Sequence, residues 1–266
     1  MTTTTMTRGS NPFADAAIVT KRTLLRITRN PQLVLFSTVQ PIMFLVLFNY
    51  VFGGALSFGG PIAEAGDYIN WLIPGILIQS AVFGAQGTAL GLNEDLNAGV
   101  IDRFRSLPMS RSAVLAGRTI ADLARMSFVL GLMLLVGWAM GWSPTTGGGE
   151  VLLGFLLALG YAFALSWVMA NLGLSVKDAE TAQVVAFLPL FPFVFASSVF
   201  VPTETMPDWL AAFAENQPIT ILTNAIRGLT LGGATSTDIF ASIAWIVGIT
   251  VVAAPLAVRI YRRSTG

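Results

Sequence analysis

The 266-residue chain is 54% hydrophobic and 11% charged, with a formal net charge of +1. This composition excludes a large soluble domain and gives no reason to expect a nucleic-acid partner. The chain has no His and no Cys, so it lacks the commonest general base, can form no disulfide, and could build a zinc site only from carboxylates.

The first 29 residues divide into two parts. Residues 1–12 are predicted to be a disordered tail, since they lack the apolar core and cleavage site of a signal peptide. Residues 13–29 are predicted to form an amphipathic helix along the inner leaflet of a membrane. Its apolar positions recur at 4-3-4-3 spacing, opposite three arginines: Phe13, Ala17, Thr20, Leu24 and Ile27 against Arg22, Arg26 and Arg29. An ordinary basic anchor with no mechanical role remains an alternative.

Six windows of the chain contain no charged residue: 30–63, 68–93, 126–149, 151–176, 181–203 and 239–258. Roughly 20 apolar residues span a bilayer core, so each window is long enough for one transmembrane helix. A charge at mid-membrane costs about 2.5–3.5 kcal/mol on insertion scales, so the absence of charges from these windows indicates transmembrane helices. We predict an all-α polytopic membrane protein with spans at about residues 33–52, 71–92, 124–142, 152–174, 183–201 and 239–258, within one domain covering residues 30–266.

The basic residues indicate the orientation of these spans. Fourteen of the fifteen Lys and Arg residues fall in segments that can all lie on one side, and basic residues collect in cytoplasmic loops. Both termini are therefore predicted to be cytoplasmic. An odd number of spans would instead place one basic terminus outside.

Residues 203–231 are a poor span because Glu215, Pro218 and Arg227 interrupt them. We predict a pair of short external or re-entrant helices, whose backbone must be buried in protein or wet at its tip. Glu215 and Arg227 could pair there, although a solvated pair contributes little stability.

The longest cytoplasmic loop, residues 94–125, has dense and mixed chemistry. Asp122 is spaced to pair along one helix with Arg118 (i,i+4) and with Arg125 (i,i+3). Before Pro108, a short amphipathic segment suits docking into the groove of a partner, with a solvated loop as the equally favoured alternative. The candidate docking residues are Val100, Ile101, Asp102, Arg103, Phe104, Arg105 and Leu107.

Aromatic and amide side chains recur on the faces of three predicted spans. An amide in hydrocarbon is costly without a partner, so these glutamines should face protein or a cavity. Together such faces suit a planar, amphipathic compound, while hydrogen bonding between helices is the simpler alternative for each amide. The candidate path residues are Gln40, Phe44 and Phe48 in the first span, Gln79, Phe83 and Gln86 in the second, and Phe191 and Phe195, one and two turns after Phe187, in the fifth. Gly87 and Gly91 form a G-x-x-x-G pair that allows close helix approach.

Several function classes are disfavoured. Lys21 and Lys177 are the only lysines and neither lies in a G-K-[ST] loop, so the chain is not expected to bind ATP in the usual way. The windows contain no carboxylate to carry a proton or sodium ion, which argues against an ion-driven transporter. No nucleophile with a base, and no metal site, supports an enzyme.

Four stretches of the chain resemble the permease subunits of ABC-2 type exporters, specifically the daunorubicin/doxorubicin-resistance permease family. They are RNPQLVLFSTVQPIMFLVLFNYVFGGAL (29–56), YINWLIPGILIQS (68–80), GVIDRFRSLPMSRSAVLAGR (99–118) and FVPTETMPDWLAAFAENQPITILTNAIRGL (200–229).

The resemblance implies a permease that moves drugs, antibiotics or lipids outward across the bacterial cytoplasmic membrane. It implies two partners, a separate ATPase subunit that binds ATP and Mg, and a second permease that is either another copy or a paralogue. Residues 99–118 would contain the coupling helix, residues 13–29 the connecting helix, and residues 203–231 the external re-entrant helices. A non-transporting scaffold or regulatory subunit of a membrane complex is the alternative that composition alone leaves open.

Overall fold

The structure, a computed structural model, describes residues 17–23, 25, 31–56, 68–98 and 111–264. The predicted tail and all seven candidate docking residues between positions 100 and 107 lie outside these ranges. Within them the chain is helical apart from short connections, and no strand occurs. The elements are α1 (17–23), α2 (Pro31–Leu56), α3 (Tyr68–Asn97), α4 (Arg111–Ala139), α5 (Gly148–Ser175), α6 (Ala179–Phe195), a 3-10 turn (Thr203–Thr205), α7 (Asp208–Asn216), α8 (Pro218–Leu231) and α9 (Ser236–Ser264).

Four stretches of helix in the described part of the chain are long and apolar enough to cross a bilayer: Tyr68–Asn97, Gly117–Ala139, Gly148–Ser175 and Ser236–Tyr261. Two further apolar helices, described over Thr38–Gly53 and Ala179–Phe195, are shorter. The predicted all-helical class is confirmed, with four candidate membrane spans.

Helix α3 is the centre of the bundle. It packs against α5 most extensively and also against α2, α4, α6 and α8, whereas α9 packs on α5 and α8 at the periphery. In the most apolar stretch of α3, 89% of residues are buried, against 11% for α9. A Cβ added to Gly173 would lie 2.8 Å from the Cα of Ala89, so α5 and α3 meet backbone to backbone at this glycine.

The two ends of the bundle carry different polar groups. We call the end with Asn97, Arg118 and Lys177 the basal end, where the Asn97 amide donates to the Lys177 carbonyl at 3.0 Å. We call the end with Trp71 and Arg227 the distal end, where the Arg227 side chain donates to the Trp71 carbonyl at 2.9 Å.

Helix α6 ends at Phe195, six residues before the end of the predicted fifth span. The Ala196 amide donates to the Pro192 carbonyl at 2.8 Å, which closes the last turn. Beyond it, Gln217 and Arg227 of the neighbouring chain segment bind backbone carbonyls between positions 196 and 199. These side chains replace the helical donors, so the chain can leave the helix without losing hydrogen bonds.

Candidate functional site

A continuous series of aromatic rings, in stacked or tilted contact, connects α2, α6 and α3. It comprises eight residues, Phe44, Phe48, Phe52, Phe83, Phe187, Phe191, Phe195 and Phe200, which we call the phenylalanine ladder. Neighbouring ring centroids along the series are separated by 4.2–5.9 Å, so each ring is in contact with the next. Phe52, Phe187 and Phe191 are each about 40% exposed, so the ladder reaches the surface of the chain at both α2 and α6.

Phe200 is the centre of the ladder. Its ring centroid lies 4.2 Å from that of Phe48, 5.1 Å from that of Phe195 and 6.1 Å from that of Phe44. It is only 4% exposed, and its carbonyl accepts a hydrogen bond from the Tyr68 hydroxyl at 2.9 Å. The residue therefore joins the rings of α2 to those of α6.

The structure brings five of the eight predicted path residues into the ladder: Phe44, Phe48, Phe83, Phe191 and Phe195. Phe187, which the sequence analysis placed on the same stripe of α6, also belongs to it. Phe52 and Phe200 were not predicted. Phe52 follows Phe48 by four residues and continues the predicted period, whereas Phe200 lies beyond the end of α6, where helical spacing gives no signal.

The three predicted glutamines lie apart from the ladder contacts. Gln40 is exposed on α2. Gln79 is 2% exposed, and its Oε1 atom has no protein hydrogen-bond partner; the same is true of the buried Nε2 atom of Gln86. Hydrogen bonding between helices, the simpler interpretation, is therefore not observed at these two atoms.

At the distal end, Arg227 holds the segment that carries Phe200. The side chain is 8% exposed, and its guanidinium carbon lies 3.3 Å from the centre of the Trp71 ring. It donates to the Trp71 carbonyl at 2.9 Å, the Ser198 carbonyl at 2.6 Å and the Asn224 side-chain oxygen at 2.9 Å. Burial lowers the pKa of Arg227 to about 9, which leaves the group charged at neutral pH.

The suggested pair between Glu215 and Arg227 is wrong. Glu215 is exposed on α7, and Arg227 instead bonds to α3, to the segment after α6 and to its own helix. Carbonyls and an aromatic face can satisfy a guanidinium as well as a carboxylate can, because it has five donors and a flat cationic surface.

At the basal end, α3 and α4 are joined by charged side chains that are buried or partly buried. Arg118 binds the Asp95 carboxylate, and the Asp122 carboxylate accepts a 2.7 Å hydrogen bond from the Thr88 hydroxyl. Arg125 lies 3.8 Å from Asp122 and donates to the Gly84 carbonyl at 2.9 Å. The predicted Asp122–Arg125 pair is confirmed, whereas Arg118 pairs with Asp95 rather than with Asp122.

Glycines on α3 make room for these arginines. A Cβ on Gly91 would overlap the Arg118 guanidinium, and one on Gly87 would lie 3.0 Å from the Arg125 guanidinium. The G-x-x-x-G pair therefore accommodates two cationic side chains. This polar cluster lies between the two helices that flank residues 99–110.

Hydrogen bonds also connect the basal end of α3 and α4 to two other helices, α5 and α1. The Asn93 amide donates to the carbonyls of Gly173 and Val176 at 3.2 and 2.8 Å, which ties α3 to the end of α5. In α1, the Thr20 hydroxyl donates to the Gly117 carbonyl at 2.9 Å. Thus the described part of the predicted interfacial helix contacts α4 close to the Asp95–Arg118 pair.

No group of three or more acidic residues suited to a metal ion occurs in the described parts of the chain. Large apolar side chains are exposed on α2, α4, α5, α6 and α9. This combination with four membrane-length helices defines a multi-pass membrane protein.

Comparison with known proteins identifies its family. The model of the ABC-2 type transporter family matches residues 15–231. The chain is 30% identical to the daunorubicin resistance ABC transporter permease protein DrrB1 of Streptomyces coeruleorubidus, covering 97% of this chain and 92% of that protein. It is 28% identical to the probable doxorubicin resistance ABC transporter permease protein DrrC of Mycobacterium tuberculosis, covering 95% and 90%.

A more distant relative is the putative transport permease ycf38 of Pyropia yezoensis, 26% identical over 80% of this chain and 72% of that protein. The chain belongs to the ABC-2 type transporter family. It is a transmembrane permease subunit of an ABC transporter, in which a separate ATPase hydrolyses ATP.

Proposed function

We propose that this permease exports planar hydrophobic or amphipathic compounds, including drugs, along the phenylalanine ladder. The observation that carries the proposal is the unbroken contact of eight rings across three helices, with exposed members on both α2 and α6. Aromatic faces bind planar apolar molecules by stacking without demanding one pattern of hydrogen bonds. The names of the two drug-resistance relatives support the same substrate class.

The proposed membrane topology has six spans, with α2 and α6 added to the four long helices and both termini in the cytoplasm. The positions of the charges support it. Lys177 and Arg118 lie at the basal end, whereas the exposed acidic residues Glu204, Asp208 and Glu215 lie just before or within α7, near the distal end. An excess of basic residues is typical of cytoplasmic loops, so the basal end would face the ATPase.

The partner ATPase, carrying ATP and Mg, would dock on residues 99–110, where all seven candidate docking residues fall. The described helices on either side support this role. Because Asp95–Arg118 and Asp122–Thr88 tie α3 to α4, a displacement of the intervening segment would move two joined helices together. A second permease, either another copy or a paralogue, would complete the transporter beside α2 and α6.

The test uses the permease co-purified with its ATPase subunit and reconstituted in lipid vesicles. ATP hydrolysis is measured against the concentration of daunorubicin. Phe48→Ala and Phe191→Ala should each raise the concentration that gives half-maximal stimulation, by about tenfold, the equivalent of about 1.4 kcal/mol of lost stacking.

The matched control is Phe240→Ala, which removes a 70% exposed ring on α9, outside the ladder. It should leave the drug response unchanged. An equal rise of the half-maximal drug concentration in all three variants would refute the phenylalanine ladder as the substrate path. If the ATPase co-purifies but no hydrophobic compound alters its activity, a scaffolding or regulatory subunit becomes the better description.

A further inference from the structure

The segment from Ala196 to Phe200 has no helix of its own to fix it, yet it carries the central ring of the ladder. Its backbone is held from two sides. On one side, Thr220 of α8 accepts a 3.1 Å hydrogen bond from the Ser198 amide, and Gln217, which precedes α8, donates to the Ala196 carbonyl. From α3, the Tyr68 hydroxyl donates to the Phe200 carbonyl at 2.9 Å.

Arg227 is the one side chain in the described structure that bonds both to this segment and to α3. Its Nη2 atom donates to the Ser198 carbonyl at 2.6 Å and to the Val199 carbonyl at 3.4 Å. Its Nε atom donates to the Trp71 carbonyl at 2.9 Å, and Nη1 reaches the Ser198 hydroxyl at 3.3 Å. The guanidinium carbon lies 3.3 Å from the centre of the Trp71 ring, so the indole also contacts the group that carries these donors.

This arrangement uses the shape of the guanidinium. Every hydrogen-bond acceptor named above is neutral, so the bonds depend on a rigid planar fork placed between two backbones. A lysine has the same charge but concentrates its donors on one nitrogen, and it cannot bond to Trp71 and Ser198 in this geometry.

Close packing makes the segment sensitive to this fork. A Cβ on Gly75 would lie 3.0 Å from the carbonyl carbon of Val199, so α3 and the segment are in backbone contact. Val199 and Phe200 are both almost fully buried. Hence a small movement of the Ser198 and Val199 carbonyls must displace the Phe200 ring from its neighbours in the ladder.

We propose that Arg227 is a positioning residue for substrate recognition: its fork sets the Ala196–Phe200 segment against α3 and thereby places the Phe200 ring at the centre of the ladder. This inference rests on the proposed role of the ladder in drug export. Arg227 itself does not contact the drug. It acts through Phe200, the residue that follows the Ser198 and Val199 carbonyls bound by the guanidinium.

The first experiment compares Arg227→Lys with wild type in the reconstituted complex of permease and ATPase. We expect the concentration of daunorubicin for half-maximal stimulation to rise about fivefold, with the maximal rate less affected, since binding geometry rather than ATP hydrolysis is altered. Arg259→Lys is the control, because Arg259 is exposed near the end of α9. An unchanged drug response in Arg227→Lys overturns the proposal.

A double-mutant cycle separates positioning from a general loss of stability. If Arg227 acts through Phe200, the Arg227→Lys, Phe200→Leu double variant should match Phe200→Leu alone. Combined with Phe187→Leu, towards the other end of the ladder, the two effects should instead multiply. Multiplying effects in both pairs would overturn the role of Arg227, while an inert Phe200→Leu would refute the ladder itself.

Should Arg227→Lys fail to assemble, Thr220→Val tests whether another hydrogen bond to the Ala196–Phe200 segment also acts through Phe200. It removes only the acceptor of the Ser198 amide and retains the shape of the side chain. We expect a smaller rise in the half-maximal drug concentration that also disappears in the Phe200→Leu background. A rise that persists there contradicts positioning through Phe200.

Discussion

At the basal end of the bundle, Arg118 and Arg125 lie against carboxylates, whereas at the distal end Arg227 lies against carbonyls and an indole ring. The distal environment is buried and the basal one is buried or partly buried, and both join α3 to a neighbouring segment. The basal arginines rest on glycines of α3, so their side chains occupy the space of missing Cβ atoms. The distal arginine instead reaches between two backbones.

This difference shows two ways of keeping a cation inside a membrane protein. A carboxylate neutralises the charge, but removal of one partner leaves the other charge uncompensated at a cost of about 3–5 kcal/mol. Carbonyls and a ring solvate the charge without a partner that can be stranded. The basal end should therefore be sensitive to charge balance, and the distal end to geometry.

The largest effect should come from Asp122→Ala at the basal end. The variant strands the Arg125 charge and the Thr88 hydroxyl, and it should lower the free energy of unfolding by about 3–5 kcal/mol. Chemical denaturation in detergent measures this change. Glu215→Ala is the control, because Glu215 is exposed. Adding Arg125→Met to Asp122→Ala should recover part of the loss, and no recovery would mean that charge balance is not what matters there.

The next effect should come from Gly75→Ala at the distal end. The new methyl group would meet the backbone of Val199, which cannot rotate away, so overpacking should cost about 1–3 kcal/mol. Gly131→Ala in α4 is the matched control, because its Cβ would meet nothing within 4 Å. It should stabilise the helix by up to about 1 kcal/mol, and equal thermal stability of the two variants would contradict the close contact.

Gly91→Ala at the basal end should have a smaller effect than Gly75→Ala. Here the methyl group meets the end of the Arg118 side chain, which can swing away at the cost of its bond to Asp95. This pair is partly solvated, so its loss should cost about 1 kcal/mol or less. In an Arg118→Met background, Gly91→Ala should lower the stability by less still. Thermal unfolding of wild type, the two single variants and the double variant measures this difference.

The smallest effect concerns an exposed carboxylate at the start of α6. The Asp178 side chain accepts hydrogen bonds from the Thr181 amide at 2.7 Å and from its hydroxyl at 2.9 Å, and these bonds lower the pKa of Asp178. A lowered pKa in the folded state means stability that is present above the ordinary carboxyl range and lost as the pH falls through the folded pKa. Asp178→Ala should therefore have a slightly lower melting temperature than wild type at pH 7. This difference should shrink as the pH falls through the carboxyl range, and a difference that does not change with pH would exclude the charged Asp178 carboxylate as its cause.

The helices and most of the ladder were predictable because both depend on periodicity along one chain segment. Charge-free windows locate the long helices, and four-residue spacing places Phe44 with Phe48 and Phe191 with Phe195. The Asp122–Arg125 pair was predictable for the same reason, since its members are three residues apart on one helix.

Contacts between segments were not predictable in this way. Arg118 finds Asp95 on another helix rather than Asp122 one turn away, and Phe200 joins the ladder from a segment without helical period. The partners of Arg227 are mostly backbone carbonyls, which every residue possesses and which no sequence pattern marks. Glu215 was an attractive partner only because it carries the opposite charge nearby in sequence.

The burial of α3 has a consequence for how the protein is made. Among the four membrane-length helices, α3 is the least apolar and the most buried, while α9 is the most apolar and the least buried. A helix enters the bilayer from the translocon largely according to its own apolarity. Helix α9 can therefore insert on its own, whereas α3 carries Asn70, Gln79 and Asn93 and emerges from the ribosome before its main packing partner, α5. These polar side chains are buried only once helices that are synthesised later pack around α3.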